Sequence, residues 1–272
     1  MSCRLRIYRF DNYPLLTIIM EWKMATHFAR RTLGPELSIS PRLSADTLKA
    51  AQHLPEHRRS RFLASRSLLA ELVFMLYGIP VLPEIVVNEQ GRPRFTDPGL
   101  ADFSLAHTGN MLGVAITTEG CCGLDMELQP ATRTFTHPLA PQTGHTLSKN
   151  ETIWVDNQND PQEARTQLVT LRRSLLKLTG QQNDDGQHFQ LLPGSGKLRV
   201  AQFPQVEAAC DAEDVLIWTV AVSPAIEKLY LWEYDSIQGW RSLPDMRKRS
   251  TSPDTRLMRF TSLPSEKAMI IN

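Results

Sequence analysis

Two stretches of the chain repeat apolar residues at spacings of three and four, and each predicts a long helix. The first covers residues 58–77 and ends at Gly78, while the second covers residues 161–178 and ends at Gly180. Glycine directly after a periodic stretch is typical of a helix C-terminus. The apolar face of the first helix consists of Phe62, Leu63, Leu68, Leu69, Leu72, Val73 and Leu76.

Short apolar runs bounded by turn residues predict strands around these helices. Strands are expected at 84–87, 94–95, 103–105, 111–117, 121–128, 189–192, 197–200 and 215–222, with a further hairpin-like unit over 228–240. The runs at 111–117 and 121–128 are separated by a short turn, so we expect them to form a hairpin. Residues 130–150 are rich in Pro, Thr, His and Gly and predict a loop. One long helix and several short strands in each half indicate an α+β fold.

The two ends of the chain are harder to place. The apolar run at 14–20 is too short to cross a bilayer and has charged residues close on both sides. It is either an extra strand or sequence translated upstream of a start at Met24, and the second interpretation is slightly favoured. The basic segment from Arg247 onward predicts a flexible tail.

Composition narrows the function classes. The chain has 272 residues, 42% of them hydrophobic, and a net charge of +1, so bulk charge indicates neither nucleic-acid binding nor membrane association. Four cysteines lack C-x-x-C spacing, which is typical of reduced thiols and predicts a cytoplasmic protein.

Asp125 and Glu127 lie two residues apart on a predicted strand and therefore share one face of it. Adjacent carboxylates repel each other unless water, a proton or a cation compensates. Mg²⁺ suits such a pair because it takes one or two carboxylates together with waters and phosphate oxygens. A half-exposed strand with two solvated acids is the alternative interpretation.

Three short motifs accompany this pair. Residues 91–93 read G-R-P, residues 103–109 read F-S-L-A-H-T-G, and residues 123–127 read G-L-D-M-E. In order and spacing they resemble the 4′-phosphopantetheinyl transferases of the surfactin-synthetase-activating type, over roughly residues 58–222. The resemblance implies a pseudo-duplicated α+β fold in which each subdomain has a long helix on a small antiparallel sheet. The expected division is an N-terminal extension at 1–24, subdomains at 25–120 and 121–224, and a C-terminal hairpin and flexible tail at 225–272.

The resemblance also implies an activity. These enzymes transfer the phosphopantetheine arm of coenzyme A to a serine of an apo acyl or peptidyl carrier protein, release adenosine 3′,5′-bisphosphate, and use Mg²⁺. Asp125 and Glu127 occupy the family's metal-ligand positions. Arg66 matches the arginine at the nucleotide end of coenzyme A, and Arg92 matches a position near the adenine and 3′-phosphate. The residues placed at the phosphates are His107 and Lys177, and the expected catalytic set is Asp125, Glu127, Lys177 and His107.

Four positions depart from the family pattern. Val169 and Arg172 stand where the helix motif of the family has a tryptophan and a lysine. The helix motif has a glutamate at the position of Arg173, and that glutamate completes the metal site. A guanidinium neither ligates Mg²⁺ nor acts as a base. If Arg173 faces the two carboxylates, we expect it to pair with them in the cation's place. Ala106 stands where the family has a serine, and this removes a hydroxyl from the expected phosphate cradle.

Three hypotheses remain open from the sequence. In the first, transfer persists with a two-carboxylate metal site helped by water or Glu151. In the second, the chain binds coenzyme A or a carrier protein without transfer. A metal-dependent hydrolase is the third, and the absence of zinc-binding histidine motifs, a P-loop and a G-x-S-x-G elbow from the sequence disfavours it.

Overall fold

The computed structural model describes residues 25–34, 38–129, 147–181, 189–252 and 255–263. The predictions for residues 1–24 lie outside these ranges, as does most of the predicted loop at 130–150. None of the helices in the described ranges has the length and apolar character required to cross a bilayer.

Both predicted long helices are confirmed. The described helices are α1 (Ala45–Gln52), α2 (Glu56–Tyr77), α3 (Lys149–Asp156), α4 (Pro161–Thr179) and α5 (Met246–Ser250). Gly78 and Gly180 end α2 and α4 in the left-handed conformation, with φ of 70° and 74°. Asp160 caps the start of α4 by accepting a hydrogen bond from the backbone N–H of Glu163.

The strands form two large sheets and one small sheet, so the α+β class is confirmed. The first sheet has the order β12-β11-β1-β5-β4, and the second has the order β6-β10-β9-β13-β8-β7. Strands β2 and β3 pair separately. The strand bounds are β1 Thr26–Thr32, β2 Ile85–Val87, β3 Pro93–Phe95, β4 Asp102–Thr108, β5 Met111–Thr117, β6 Cys121–Leu128, β7 Phe189–Leu192, β8 Lys197–Val200, β9 Glu207–Ala212, β10 Leu216–Ser223, β11 Leu229–Asp235, β12 Gly239–Ser242 and β13 Met258–Thr261.

The predicted hairpin of 111–117 with 121–128 is wrong, although both strands exist. β5 pairs with β1 and β4, whereas β6 pairs with β10 at the edge of the other sheet. The turn between them therefore carries the chain from one sheet to the other. Gly120, at φ 140°, packs so closely against Ser223 that a side chain there would overlap its carbonyl oxygen.

The C-terminal segment is more ordered than the sequence predicted. The hairpin at 228–240 is confirmed as β11 and β12, but β11 also pairs in parallel with β1 in the first sheet. The prediction of a flexible tail from Arg247 is wrong for the described part, because α5 and β13 lie there and β13 is an inner strand of the second sheet. The division into subdomains at 120 and 224 stays a prediction.

Candidate anion-binding site between the two sheets

The edge strands β4 and β6 are joined by side chains instead of a backbone ladder. Asp102, Ser104 and Thr108 of β4 accept hydrogen bonds from the backbone N–H groups of residues 122, 124 and 128, at 2.8, 3.0 and 3.2 Å. These acceptors point to one side of β4 because alternate residues of a strand share a face. We call this line of contacts between β4 and β6 the seam. Ala106 occupies the one position in this series that has no side-chain acceptor.

Helix α4 lies directly against β6 next to the seam. A Cβ atom at Gly123 would overlap the carbonyl oxygen of Ser174, so only glycine allows this approach. Arg173 and Lys177 are four residues apart and lie on the same face of α4. The close packing therefore brings both cationic side chains to Asp125 and Glu127 of β6.

Lys177 is held by the seam itself. Its Nζ donates to Asp125 Oδ1 at 2.8 Å, to the carbonyl oxygen of Leu124 at 2.8 Å, and to that of Leu105 at 3.2 Å. An ammonium group has three N–H donors, and these contacts use all of them. Lys177, predicted from the resemblance to contact phosphates, thus ties β4 to β6 in this arrangement. A phosphate group of a ligand would therefore interact with the positive charge of Lys177, but it would find no free N–H donor on this side chain.

The two predicted metal ligands lie side by side, as expected. Asp125 is buried, and its Oδ2 has no hydrogen-bond partner among the described residues. Glu127 is partly exposed, and Thr108 donates to its Oε1 at 3.4 Å. Arg173 faces both groups, with Nη1 at 3.0 Å from Glu127 Oε2 and 3.9 Å from Asp125 Oδ2.

These residues do not fit Mg²⁺ while Arg173 holds its position. A cation bound between the two carboxylates would lie beside the Arg173 guanidinium. Two like unit charges about 4 Å apart repel by about 4 kcal/mol at an effective dielectric constant of about 20, and a divalent ion doubles this cost. No group of three His, Cys, Asp or Glu side chains with metal-binding spacing occurs among the described residues. Mg²⁺ therefore stays a prediction from the resemblance.

Glu151 does not assist these carboxylates, so that expectation is wrong. Its side chain is fully buried and accepts from Arg172 Nη2 with both oxygens, at 2.7 and 2.8 Å. It also accepts from the backbone N–H of Ser148, which completes a capping box at the start of α3. Arg172 and Arg173 are neighbours in sequence but belong to different ion pairs.

A cavity of about 590 Å³ lies between α2 and β4. Arg66 lines it and is buried, yet its Nη1 has no hydrogen-bond partner among the described residues. Burial lowers the pKa of Arg66 to about 10. Arg58 and Arg61 also line the cavity. A buried charged side chain without an anion is costly, which indicates that this cavity accepts one.

His107 lines the same cavity from the end of β4 that is nearer to the carboxylates. Partial burial lowers its pKa, and the positive charges of Arg61 and Lys177 lower it further, while Asp125 opposes them. The lowered pKa favours the neutral imidazole, which has one N–H that a ligand can accept. A bound phosphate would favour its protonated form.

Arg92 lies in a second cavity, of about 240 Å³, that Lys177 also lines. Its Nη2 donates to Asp102 Oδ2 and, at 2.9 Å, to the carbonyl oxygen of Cys122. Burial opposes the charge, but the Asp102 carboxylate outweighs it and raises the pKa of Arg92. Leu105 lines both cavities, so they lie next to each other along β4.

The predicted site residues thus fall into three groups, one of which is Asp125 and Glu127 on β6. Arg66 and His107 line the larger cavity, while Arg92 and Lys177 line the smaller one. Sequence reasoning missed the seam and the structural role of Lys177. A signal existed in the alternating acceptors of β4, which are Asp102, Ser104 and Thr108.

Comparison with known proteins gives one extensive similarity and one short similarity. No protein-family model matches the chain. It is 58% identical over 250 residues to the "Uncharacterized protein YieE" of Escherichia coli strain K12, across 92% of this chain and all of that protein. It is 37% identical over 71 residues to the 4′-phosphopantetheinyl transferase AcpT of the same strain, and 35% identical to AcpT of Salmonella typhimurium. The AcpT similarity covers 26% of this chain and about a third of AcpT.

Proposed function

This chain belongs to the family of the Escherichia coli protein YieE, and from its site we propose that it binds coenzyme A and transfers the 4′-phosphopantetheine arm to a serine of an apo carrier protein. The observation that carries coenzyme A binding is the buried guanidinium of Arg66 on the wall of a cationic cavity, whose Nη1 has no hydrogen-bond partner in the part of the chain that the structure describes. Transfer is supported by the motif resemblance and by the short similarity to AcpT.

The cavities and the cationic side chains beside the seam offer partners for the phosphate groups and the diphosphate of coenzyme A. The larger cavity is within the size range of small-molecule sites and offers arginines for phosphate groups. His107 lines this cavity at the end of β4 that is nearer to the carboxylates, and Arg173 contacts those carboxylates. A diphosphate that extends from the cavity toward them would meet an imidazole donor and a guanidinium. The proposed division of the chain into two subdomains of pseudo-duplicated architecture places this site between them.

The transfer step forms one bond and breaks one. The serine Oγ of the carrier bonds to the phosphorus that carries the pantetheine arm, and the bond from that phosphorus to the bridging diphosphate oxygen breaks. Adenosine 3′,5′-bisphosphate leaves, and the serine proton passes to a carboxylate. Glu127 is the accessible acceptor, since its side chain is 28% exposed and that of Asp125 only 10%. Arg173 stabilises charge on the transferred phosphoryl group.

A second candidate is binding of coenzyme A or a carrier protein without transfer. The observation that favours it is the contact of Arg173 Nη1 with Glu127 Oε2, which occupies one oxygen of the carboxylate that transfer would need as proton acceptor. Acidic carrier proteins would be attracted to the arginines around the cavity in either case.

Intact mass of a panel of apo carrier proteins, after incubation with this protein and coenzyme A, tests the proposal. We expect a gain of one phosphopantetheine group on at least one carrier, and its loss with Glu127→Gln. Asp156→Asn is the matched control, since it neutralises an exposed carboxylate at the end of α3. Coenzyme A binding without a mass gain on any carrier would support the second candidate and refute transfer.

A further inference from the structure

We propose that Arg173 is a built-in cation of this site, so that the chain engages the diphosphate of coenzyme A without a divalent metal ion. The inference rests on the proposed function, because coenzyme A is the ligand. It departs from the Mg²⁺ dependence that the resemblance implies, and it follows from where one arginine lies relative to two carboxylates.

The charges of the site balance without a metal ion. Lys177 Nζ lies 2.8 Å from Asp125 Oδ1, and Arg173 Nη1 lies 3.0 Å from Glu127 Oε2. The same Nη1 is 3.9 Å from Asp125 Oδ2 and so faces an oxygen of each carboxylate. That is the position a bridging cation would take. Two negative and two positive side chains leave the cluster close to neutral.

Arg173 also has donors left for a ligand. Lys177 donates its three N–H groups to acceptors of the protein. The guanidinium of Arg173 has five N–H groups. Within the ranges that the structure covers, Glu127 is the one hydrogen-bond acceptor of Arg173. Its side chain is 28% exposed and therefore accessible from solvent. The planar fork of a guanidinium matches two oxygens of a phosphate group.

Replacing Arg173 with glutamate should convert the site from one that uses an arginine as its cation to one that depends on Mg²⁺. Without the guanidinium, the two carboxylates repel each other and the incoming diphosphate. Arg173→Glu adds a third carboxylate at the same helix position, which gives a set of oxygen ligands suited to Mg²⁺. The variant should therefore bind coenzyme A weakly in a chelator and regain affinity when Mg²⁺ is added.

Calorimetric titration with coenzyme A, in EDTA and in Mg²⁺, measures this directly. Wild type should bind with the same Kd in both buffers. Arg173→Gln should bind about tenfold to a hundredfold more weakly in EDTA, as expected for a lost hydrogen bond between charged groups. Arg173→Glu should show a clear gain of affinity in Mg²⁺. Arg165→Glu makes the same charge change at an exposed position of α4 and should leave binding in both buffers unchanged.

A second readout needs no coenzyme A. Electron paramagnetic resonance of added Mn²⁺ should show no bound ion with wild type and a bound ion with Arg173→Glu, provided that circular dichroism shows both proteins folded. If Arg173→Glu does not fold, the wild-type result in the two buffers decides. Wild-type binding that is lost in EDTA and restored by Mg²⁺ would overturn the inference and leave the proposed function intact. No coenzyme A binding in either buffer would refute the proposed function instead.

Discussion

Arg66→Met should make the protein more stable and at the same time remove its response to coenzyme A. Burial lowers the pKa of Arg66 to about 10, so the folded protein bears the full cost of the buried charge at every pH well below that value. At about 1.4 kcal/mol per pKa unit, the cost is about 3 kcal/mol. Methionine keeps much of the apolar stem and carries no charge, so we expect the free energy of unfolding to rise by about 1–3 kcal/mol.

Urea denaturation with and without coenzyme A tests both halves of this reasoning. At a coenzyme A concentration one hundred times its Kd, wild type should gain about 2.7 kcal/mol of stability. Arg66→Met should gain almost none, because its cavity has lost the buried anion partner. Arg165→Met, at an exposed position, is the control and should change neither value. A variant that is less stable than wild type, and is still stabilised by coenzyme A, would refute the interpretation of Arg66 as an unpaired anion-binding residue.

Three further substitutions probe the seam and the turn beside it. Ala106→Ser adds a hydrogen-bond acceptor to the seam, so it should raise the free energy of unfolding by about 0.5–1.5 kcal/mol and leave coenzyme A affinity unchanged. A gain in coenzyme A affinity without a gain in stability would instead place the new hydroxyl in a phosphate cradle. Gly123→Ala should lower the free energy of unfolding by about 1–3 kcal/mol or more, because α4 must move away from β6. An unchanged midpoint of urea denaturation would contradict that packing. Burial, with the charge of Glu227, raises the pKa of Glu119 to about 7, so the wild type loses stability as pH rises from about 4.5 to about 7. Glu119→Gln should therefore melt at a higher temperature than wild type at pH 8 and at an equal temperature at pH 4.

Local signals in the sequence predicted the long helices well, but they did not predict which strands pair with each other. Periodic apolar residues and the glycines at 78 and 180 fix α2 and α4 almost to the residue. The short helix α3 was not predicted, since its first two residues fall at the end of the predicted loop and the stretch after residue 150 had no assignment, although Ser148 and Glu151 form a capping box that signals its start. The hairpin error has a different cause, because nothing local to β5 and β6 reveals that they belong to different sheets. Pairing between β1 and β11 likewise joins residues about 200 positions apart.

For the site, sequence reasoning identified residues but not their partners. It placed Asp125 and Glu127 on one face and anticipated that Arg173 would pair with them, and the distances agree. It assigned Lys177 to phosphates because a lysine on a helix gives no sign of which acceptors it will meet. The carbonyl oxygens that hold Lys177 belong to strands of two different sheets, and only the tertiary structure brings them together.

A crystal structure of the protein with coenzyme A, grown in EDTA, tests the central claim most directly. We predict a phosphate group of the ligand within hydrogen-bond distance of Arg66, and the diphosphate beside His107 and Arg173. Coenzyme A bound elsewhere on the protein, with the cavity of Arg66 unfilled, would contradict the account.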